Sequence, residues 1–410
     1  MIPRSAHRHR GWLGQLGLLL FGCAIALVLA EGLLFIRGRG RCGGGQAPLW
    51  RPDRVVGWAL VPGKRADVAV CRPGTDALHR TVVINALGQR DRARTYERPA
   101  GRRRVLVLGD SFVEAIQVEL EETFTARLEE RLGVEMLNAG VSGYSTDNEL
   151  RAFVSRGARY APDAVLLVFH VGNDVLENGA RLYLENPHGL PPKPWLTASD
   201  ATPALARCLA VHRAIARLAV ATPALVWNHS RIVRGALTSG VETLAYACAN
   251  AVGPPLIPGV RDLLGVYGAP ATPAWTEAWD TTEATLVELA GRVRAIGARF
   301  AVVLSPAGLE IDSRLLGWHI LFAPALARRT WDYAYPYERL GAVLDGAGIP
   351  WMSLVPALRA HYDATGRSGY YSWDAHWDAE GHAVVATALE PFVQSLVPSS
   401  LAEPEGRSGP

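Results

Sequence analysis

Ser111 stands in the tripeptide Gly109-Asp110-Ser111, directly after the apolar run Arg104–Leu108. A serine hydroxyl is a weak nucleophile until a neighbouring base takes its proton. Acyl transfer then needs hydrogen-bond donors for the oxyanion that forms. The chain holds residue types for each part. Ser111 brings its own backbone N–H. Gly143, closing the segment Asn138-Ala139-Gly140-Val141-Ser142-Gly143, offers a second. Asn173, in Gly172-Asn173-Asp174, offers a side-chain amide. Two late histidines, His376 and His382, could serve as the base, and Asp374 is the acid beside the first. Taken singly these motifs read as ordinary turns and an N-cap serine. Their order, one at the end of each of three successive apolar runs, is far more specific.

Those runs are the elements that must position the chemistry. Arg104–Leu108 (RVLVL) has the continuous apolar pattern of a buried parallel strand. Leu120–Leu132 has helical spacing, with Phe124, Leu128 and Leu132 on one face and Glu121, Glu122, Glu129 and Glu130 outside. Val134–Leu137 is a second strand, Asn148–Ala158 a helix and Ala164–His170 a third strand. This alternation predicts a parallel α/β sheet with right-handed crossovers. Its carboxyl edge, where all three motifs fall, is where such sheets hold their sites. Residues from about 178 to 280 break the pattern with PHGLPPKPW, ATPALARC and VGPPLIPGV and read as a mostly helical insertion. The pattern resumes with a helix near Thr282–Ile296, strand Arg299–Leu304, helix Tyr337–Ala347, strand Ile349–Leu354 and a final helix Ala379–Leu396. Residues 38–100 read as a lead-in or linker with two short strand-like stretches, WRPDRVVGWALVPG and HRTVVINALGQRD, behind a Gly-rich spacer. Residues 397–410 read as a disordered tail.

GDS at 109–111, NAGVSG at 138–143, GND at 172–174 and the late Asp374/His376 pair resemble blocks I, II, III and V of the SGNH, or GDSL, hydrolases. The likeness spans roughly residues 101–178 and 281–396. It implies a three-layer α/β/α, flavodoxin-like fold over 101–396 with the insertion at about 178–280. It also implies a Ser111–His376–Asp374 triad and an oxyanion hole built from Ser111, Gly143 and Asn173. Aligning the family's late histidine pattern makes His376 the base and His382 a helix-start residue. The implied activity is ester hydrolysis with no cofactor and no metal. Two departures stand out. Block I reads GDSFVEA, and Asp374 precedes His376 by two residues where many members have three. The resulting D-x-H-W resembles the alginate O-acetyltransferase branch, and VVINALGQRD resembles membrane-anchored bacterial members. The expected substrate is an O-acyl or O-acetyl ester of an envelope or extracellular glycan. The alternatives are an O-acyltransferase modifying a polysaccharide, a lipase or lysophospholipase, and an inactive envelope binding module.

The remaining composition sets the surroundings. With 410 residues, 49% hydrophobic and 20% charged, the chain can bury a sizeable core. A net charge of +3, with scattered basic residues, excludes a nucleic-acid partner. Arg4, Arg8 and Arg10 precede Gly11–Ile36, which is apolar apart from Gln15 and Glu31. A bilayer core needs about 20 apolar residues in a helix. Residues 1–37 are therefore expected to form a basic flank and an uncleaved transmembrane anchor, with the catalytic domain periplasmic or extracellular and within reach of envelope polysaccharide machinery. A signal peptide cleaved after Ala30 is the alternative. Cys23 lies in the apolar segment, and no Cys/His spacing suits zinc. Cys42, Cys71, Cys208 and Cys248 fit two disulfides, paired by closeness in sequence, or four buried thiols. Tyr370, Tyr371, Trp373 and Trp377 flank His376 as faces for sugar or acyl groups, or as core filler. His170 is the other histidine placed to line the site.

Overall fold

The computed structural model describes residues 49–70, 78–185, 193–198, 201–237, 264–316, 330–372 and 374–398, with 240, 248 and scattered positions between 15 and 33. In chain order the lead-in holds strands β1 (Trp50–Asp53), β2 (Gly57–Leu60), β3 (Arg65–Val70) and β4 (Leu78–Val83). The first half of the core follows as β5 (Arg104–Leu108), α1 (Ser111–Glu114), α2 (Phe124–Leu132), β6 (Glu135–Asn138), α3 (Thr146–Ser155), β7 (Ala164–His170) and α4 (Asp174–Asn178). Helices α5 (Ala180–Glu185), α6 (Pro203–Ala221) and α7 (Ala224–His229) belong to the insertion. The core then resumes with α8 (Pro273–Ala295), β8 (Arg299–Ser305), α9 (Gly308–Ile311), α10 (Tyr335–Gly346), β9 (Trp351–Ser353), α11 (Val355–Thr365) and α12 (Ala379–Leu396).

The core sheet has the order β6-β5-β7-β8-β9, every neighbour parallel. Counted within the core this is 2-1-3-4-5, the flavodoxin-like order. All five residues of β5 are buried, and alternation splits them between two apolar layers. Leu106 and Leu108 pack with Phe153, Leu286, Val293, Leu340 and Leu344, from α3, α8 and α10. Val105 and Val107 pack with Phe124, Leu128, Leu358, Val385 and Leu389, from α2, α11 and α12. The result is three layers, helix on sheet on helix, with the chemistry-bearing turns at one exposed edge.

The lead-in is two antiparallel hairpins, β1–β2 and β3–β4. Trp58, Val82 and Ile84 pack on Val141 and Tyr144, next to Gly143. Tyr144 Oη donates to the Trp58 carbonyl at 2.5 Å, and Trp58 Nε1 donates to the Ser142 carbonyl at 3.0 Å.

Strand β3 and the short helices α1, α4 and α9 were not expected from the sequence, and three other elements of the core differ from the expectation. Helix α8 starts at Pro273, nine residues before the expected Thr282. Thr272 Oγ1 accepts from Trp275 N at 3.3 Å, and proline sits in the first turn, where its missing N–H costs nothing. Helix α11 occupies a stretch where no helix was expected. It also opens with proline in its first turn and ends at Gly366, φ 69°. The last strand shrinks to three residues, Trp351–Ser353.

Cys208 and Cys248 are joined by a disulfide, which closes part of the insertion. Cys42, Cys71, the Gly-rich spacer, Trp373 and residues 399–410 lie outside the described residues, as does much of 11–36. Among the described residues no helix is long and apolar enough to cross a membrane.

Candidate active site

Asp110 N-caps α1, its Oδ1 accepting from Phe112 N at 2.9 Å, so the strand-to-helix turn places Ser111 at the first helical position. Across the sheet edge, the loop after α11 closes into a tight turn. Ala375 N donates to Tyr371 O at 3.1 Å, and Tyr371 N donates to His376 O at 2.8 Å. Tyr370 and Trp377 pair as an antiparallel bridge at its base. The turn delivers His376 Nε2 to 2.7 Å from Ser111 Oγ, across 265 residues of sequence.

The short step back to the acid is closed by backbone geometry. Ala375 adopts φ 60°, a left-handed conformation that L-residues other than glycine avoid. That reversal folds Asp374 against its neighbour's ring. His376 Nδ1 lies 3.0 Å from Asp374 Oδ1 and 2.9 Å from the Asp374 carbonyl. Both acceptors favour a proton on Nδ1, which leaves the Nε2 lone pair facing the serine. Burial pushes the His376 pKa down, but the Asp374 hydrogen bond and the charges of Asp374 and Asp110 outweigh it and hold the pKa above the ordinary imidazole value.

Three donors stand at this edge. Asn173 Nδ2 gives one N–H to Asp110 Oδ2 at 3.2 Å, which fixes the amide and leaves its second N–H for another acceptor. Among the described residues neither the Ser111 nor the Gly143 backbone N–H has a protein acceptor. Ser111, Gly143, Asn173, Asp374 and His376 are all partly exposed, while the residues beneath them are buried. The loop that carries Gly143 is pinned beside α1, because Ser142 N donates to Glu114 Oε2 at 2.5 Å. Gly140 lets the two turns touch. A Cβ there would lie 2.5 Å from both Glu114 N and Val113 Cβ.

The other histidines have different roles. His382 is 1% exposed and its Nδ1 accepts from Phe124 N at 3.3 Å, so it belongs to the packing of α12 on α2. Burial, with Arg90 and Arg127 nearby, lowers its pKa to about 3. His170 stacks on Phe112 with centroids 4.0 Å apart, and Phe112 packs in turn against the His376 ring at 4.9 Å. Burial and the neighbouring His376 hold His170 neutral, its pKa lowered to about 3. Tyr370 and Trp377, two of the aromatic residues that could have faced a substrate, are buried core residues at 6% and 1% exposure. Tyr371 is half-buried and its hydroxyl reaches the Gln117 carbonyl at 3.3 Å. Among the described residues no cluster of His, Cys, Asp or Glu suits a metal ion.

Sequence reasoning missed Arg90. This buried guanidinium donates to the carbonyls of Glu114 and Ala115, which end the helix that Ser111 begins, and of Val118 in the turn that follows. It lies in INALGQRD, the end of the second strand-like stretch, where Asn85, Gln89, Arg90 and Asp91 are all buried. Asp91 Oδ2 in turn accepts from Asn138 N at 3.0 Å, so the lead-in braces both site loops.

No family model matches the chain, and no curated protein matches it. Solved structures of acylhydrolases resemble it distantly. An acetyl xylan esterase, AlAXEase, is 12% identical with a TM-score of 0.38, over 71% of this chain and 99% of the other. A GDSL-like lipase from Bacteroides thetaiotaomicron is 13% identical with a TM-score of 0.32, over 72% and 88%. A catalytic mutant of Axe2, an acetylxylan esterase from Geobacillus stearothermophilus, is 13% identical with a TM-score of 0.35, over 72% and 94%. Likenesses this distant leave the functional assignment to the site's own geometry.

Proposed function

We propose that this chain is a serine esterase of the SGNH/GDSL kind, which moves the acyl group of an ester through Ser111 to water. The observation that carries the reading is the 2.7 Å approach of Ser111 Oγ and His376 Nε2, backed by Asp374 on the opposite ring nitrogen. A serine at a strand-end turn does not meet a histidine 265 residues away by local preference.

The geometry supports the following steps. His376 Nε2 takes the Ser111 proton as Oγ bonds to the ester carbonyl carbon, and that oxygen becomes an oxyanion. Ser111 N–H, Gly143 N–H and the Asn173 amide supply donors for it. The carbonyl re-forms as the alcohol leaves with the proton from His376. Water, deprotonated by the same nitrogen, then attacks the acyl-serine, and the acid departs as Ser111 regains its proton. Asp374 keeps the imidazole oriented and stabilises it while it is cationic.

The N-terminal apolar segment is proposed to anchor the chain in a membrane, with the catalytic domain periplasmic or extracellular. An O-acyl ester of an envelope or extracellular glycan, O-acetyl in the simplest case, is the substrate proposed for that setting. Ser111→Ala tests the mechanism on p-nitrophenyl acetate. Loss of nearly all turnover is expected, with a residual from the oxyanion donors and binding of roughly 10³–10⁴ over the uncatalysed rate. Full activity in that variant would sink the reading.

A further inference from the structure

Residues 201–240 contain five arginines (Arg207, Arg213, Arg217, Arg231 and Arg234) and no aspartate or glutamate. The whole chain balances 42 basic against 39 acidic residues, so this stretch concentrates positive charge. Helix α6 buries Leu205, Leu209, His212, Ala216 and Ala219. The opposite stripe, Arg207, Val211, Ala214, Leu218 and Ala221, recurs at helical spacing and is exposed throughout. Helix α7 continues the outward surface with Leu225 and Val226. Leu218 is 64% exposed and Leu225 73%, large apolar side chains that water disfavours.

This face is tied to the apolar N-terminal segment. The Glu31 carboxylate accepts from Ser230 Oγ, from Arg231 N at 2.9 Å and from Ile232 N at 3.0 Å, capping the helical residues 231–237. Trp227 Nε1, in α7, donates to the Trp50 carbonyl at 3.3 Å, so lead-in and insertion are also joined. Leu218, Leu225 and Val226 thus lie within a dozen residues of the point where the N-terminal segment docks.

We infer that α6 and α7 rest on an anionic phospholipid bilayer, with Leu218, Leu225 and Val226 among the acyl chains and Arg207 and Arg217 at the phosphates. The combination of exposed leucines, exposed arginines and no carboxylate is the chemistry of an interfacial helix. The inference rests on the proposed anchoring of the N-terminal segment. It gives the insertion a role, which is to hold the catalytic domain against the membrane at a second place.

The test uses the full chain in vesicles of phosphatidylglycerol and phosphatidylcholine, with p-benzoylphenylalanine in place of Leu218, of Leu225, or of the control Val287 on α8. Illumination is expected to give lipid adducts at the first two positions and none at the third. Arg207→Gln with Arg217→Gln is expected to lower the yield by roughly fivefold for each arginine removed, and vesicles of phosphatidylcholine alone, whose surface carries no net charge, to lower it as well. Fluorophosphonate labelling of Ser111 confirms that each variant is folded. Dimer adducts at 218 would overturn the inference in favour of a second copy. Retention of the chain through an alkaline carbonate wash with no lipid adduct would overturn the surface docking alone. Release of the chain with no adduct would overturn the anchor as well. Release with lipid adducts would support the surface docking without the anchor.

Discussion

Asp374→Ala removes the carboxylate 3.0 Å from His376 Nδ1 but leaves the carbonyl of residue 374 at 2.9 Å. That carbonyl still accepts the Nδ1 proton, so the tautomer with Nε2 facing Ser111 survives. What disappears is the extra attraction of a charged acceptor for the imidazolium that forms in the transition state. A hydrogen bond to a charged group contributes about 1.5–3 kcal/mol. The His376 and Asp374 side chains are 22% and 26% exposed, so solvent screening favours the lower part of that range. At 1.36 kcal/mol per decade, about 1.5–2.2 kcal/mol becomes a loss of about 10- to 40-fold in kcat. This is far smaller than the roughly 10⁴-fold loss that follows when a triad histidine holds the wrong tautomer. Turnover of p-nitrophenyl acetate between pH 5 and 9 measures it. The reaction needs neutral His376, so activity rises as pH climbs through its pKa. In the native site burial lowers that pKa, but Asp374 and Asp110 raise it further. Removing Asp374 leaves burial less opposed, and the acid limb should move to lower pH. A loss above 10³-fold, or a limb displaced to higher pH, would refute the role given to the backbone carbonyl.

Asn173→Ala should cut kcat by about 10²–10³ with little change in KM, because the donor matters only once the oxyanion forms. Steady-state kinetics on a short-chain ester checks it. Arg90→Gln strands buried carbonyls at the end of the nucleophile helix and in the turn after it, and should cost about 2–4 kcal/mol, read from urea unfolding. Ala375→Gly should keep full activity, since glycine adopts φ 60° freely. Ala375→Val, a β-branched residue forced into that conformation, should be less stable than the native chain in a thermal melt and turn over less.

Much of this site was legible in the sequence because its parts sit at strand ends. RVLVL and AVLLVFH are buried throughout, and such runs announce both the strand and the turn that follows. That is why Ser111, Gly143 and Asn173 could be named together. His376 and Asp374 carried a weaker signal, since the loop holding them is neither strand nor helix. What allows their two-residue spacing is one left-handed alanine, which no sequence pattern marks. The order 2-1-3-4-5 was not readable from the strand–helix alternation itself, which leaves open the side on which each new strand is added. It came only with the family resemblance. Helix α8 was placed too late and helix α11 was not expected, although each opens with a proline in its first turn, a position that tolerates it. Arg90 escaped notice because a charged residue in a short turn is normally solvated. Here three backbone carbonyls replace the water.

The pairing of Ser111 with His376 is tested most directly by locating the adduct of a fluorophosphonate probe on the folded protein by peptide mass spectrometry. The account predicts modification of Ser111 alone, faster as pH rises through the His376 pKa and absent from protein unfolded in urea. Folded protein that shows no adduct on Ser111, or that reacts at Ser111 with no dependence on the His376 side chain, would contradict it.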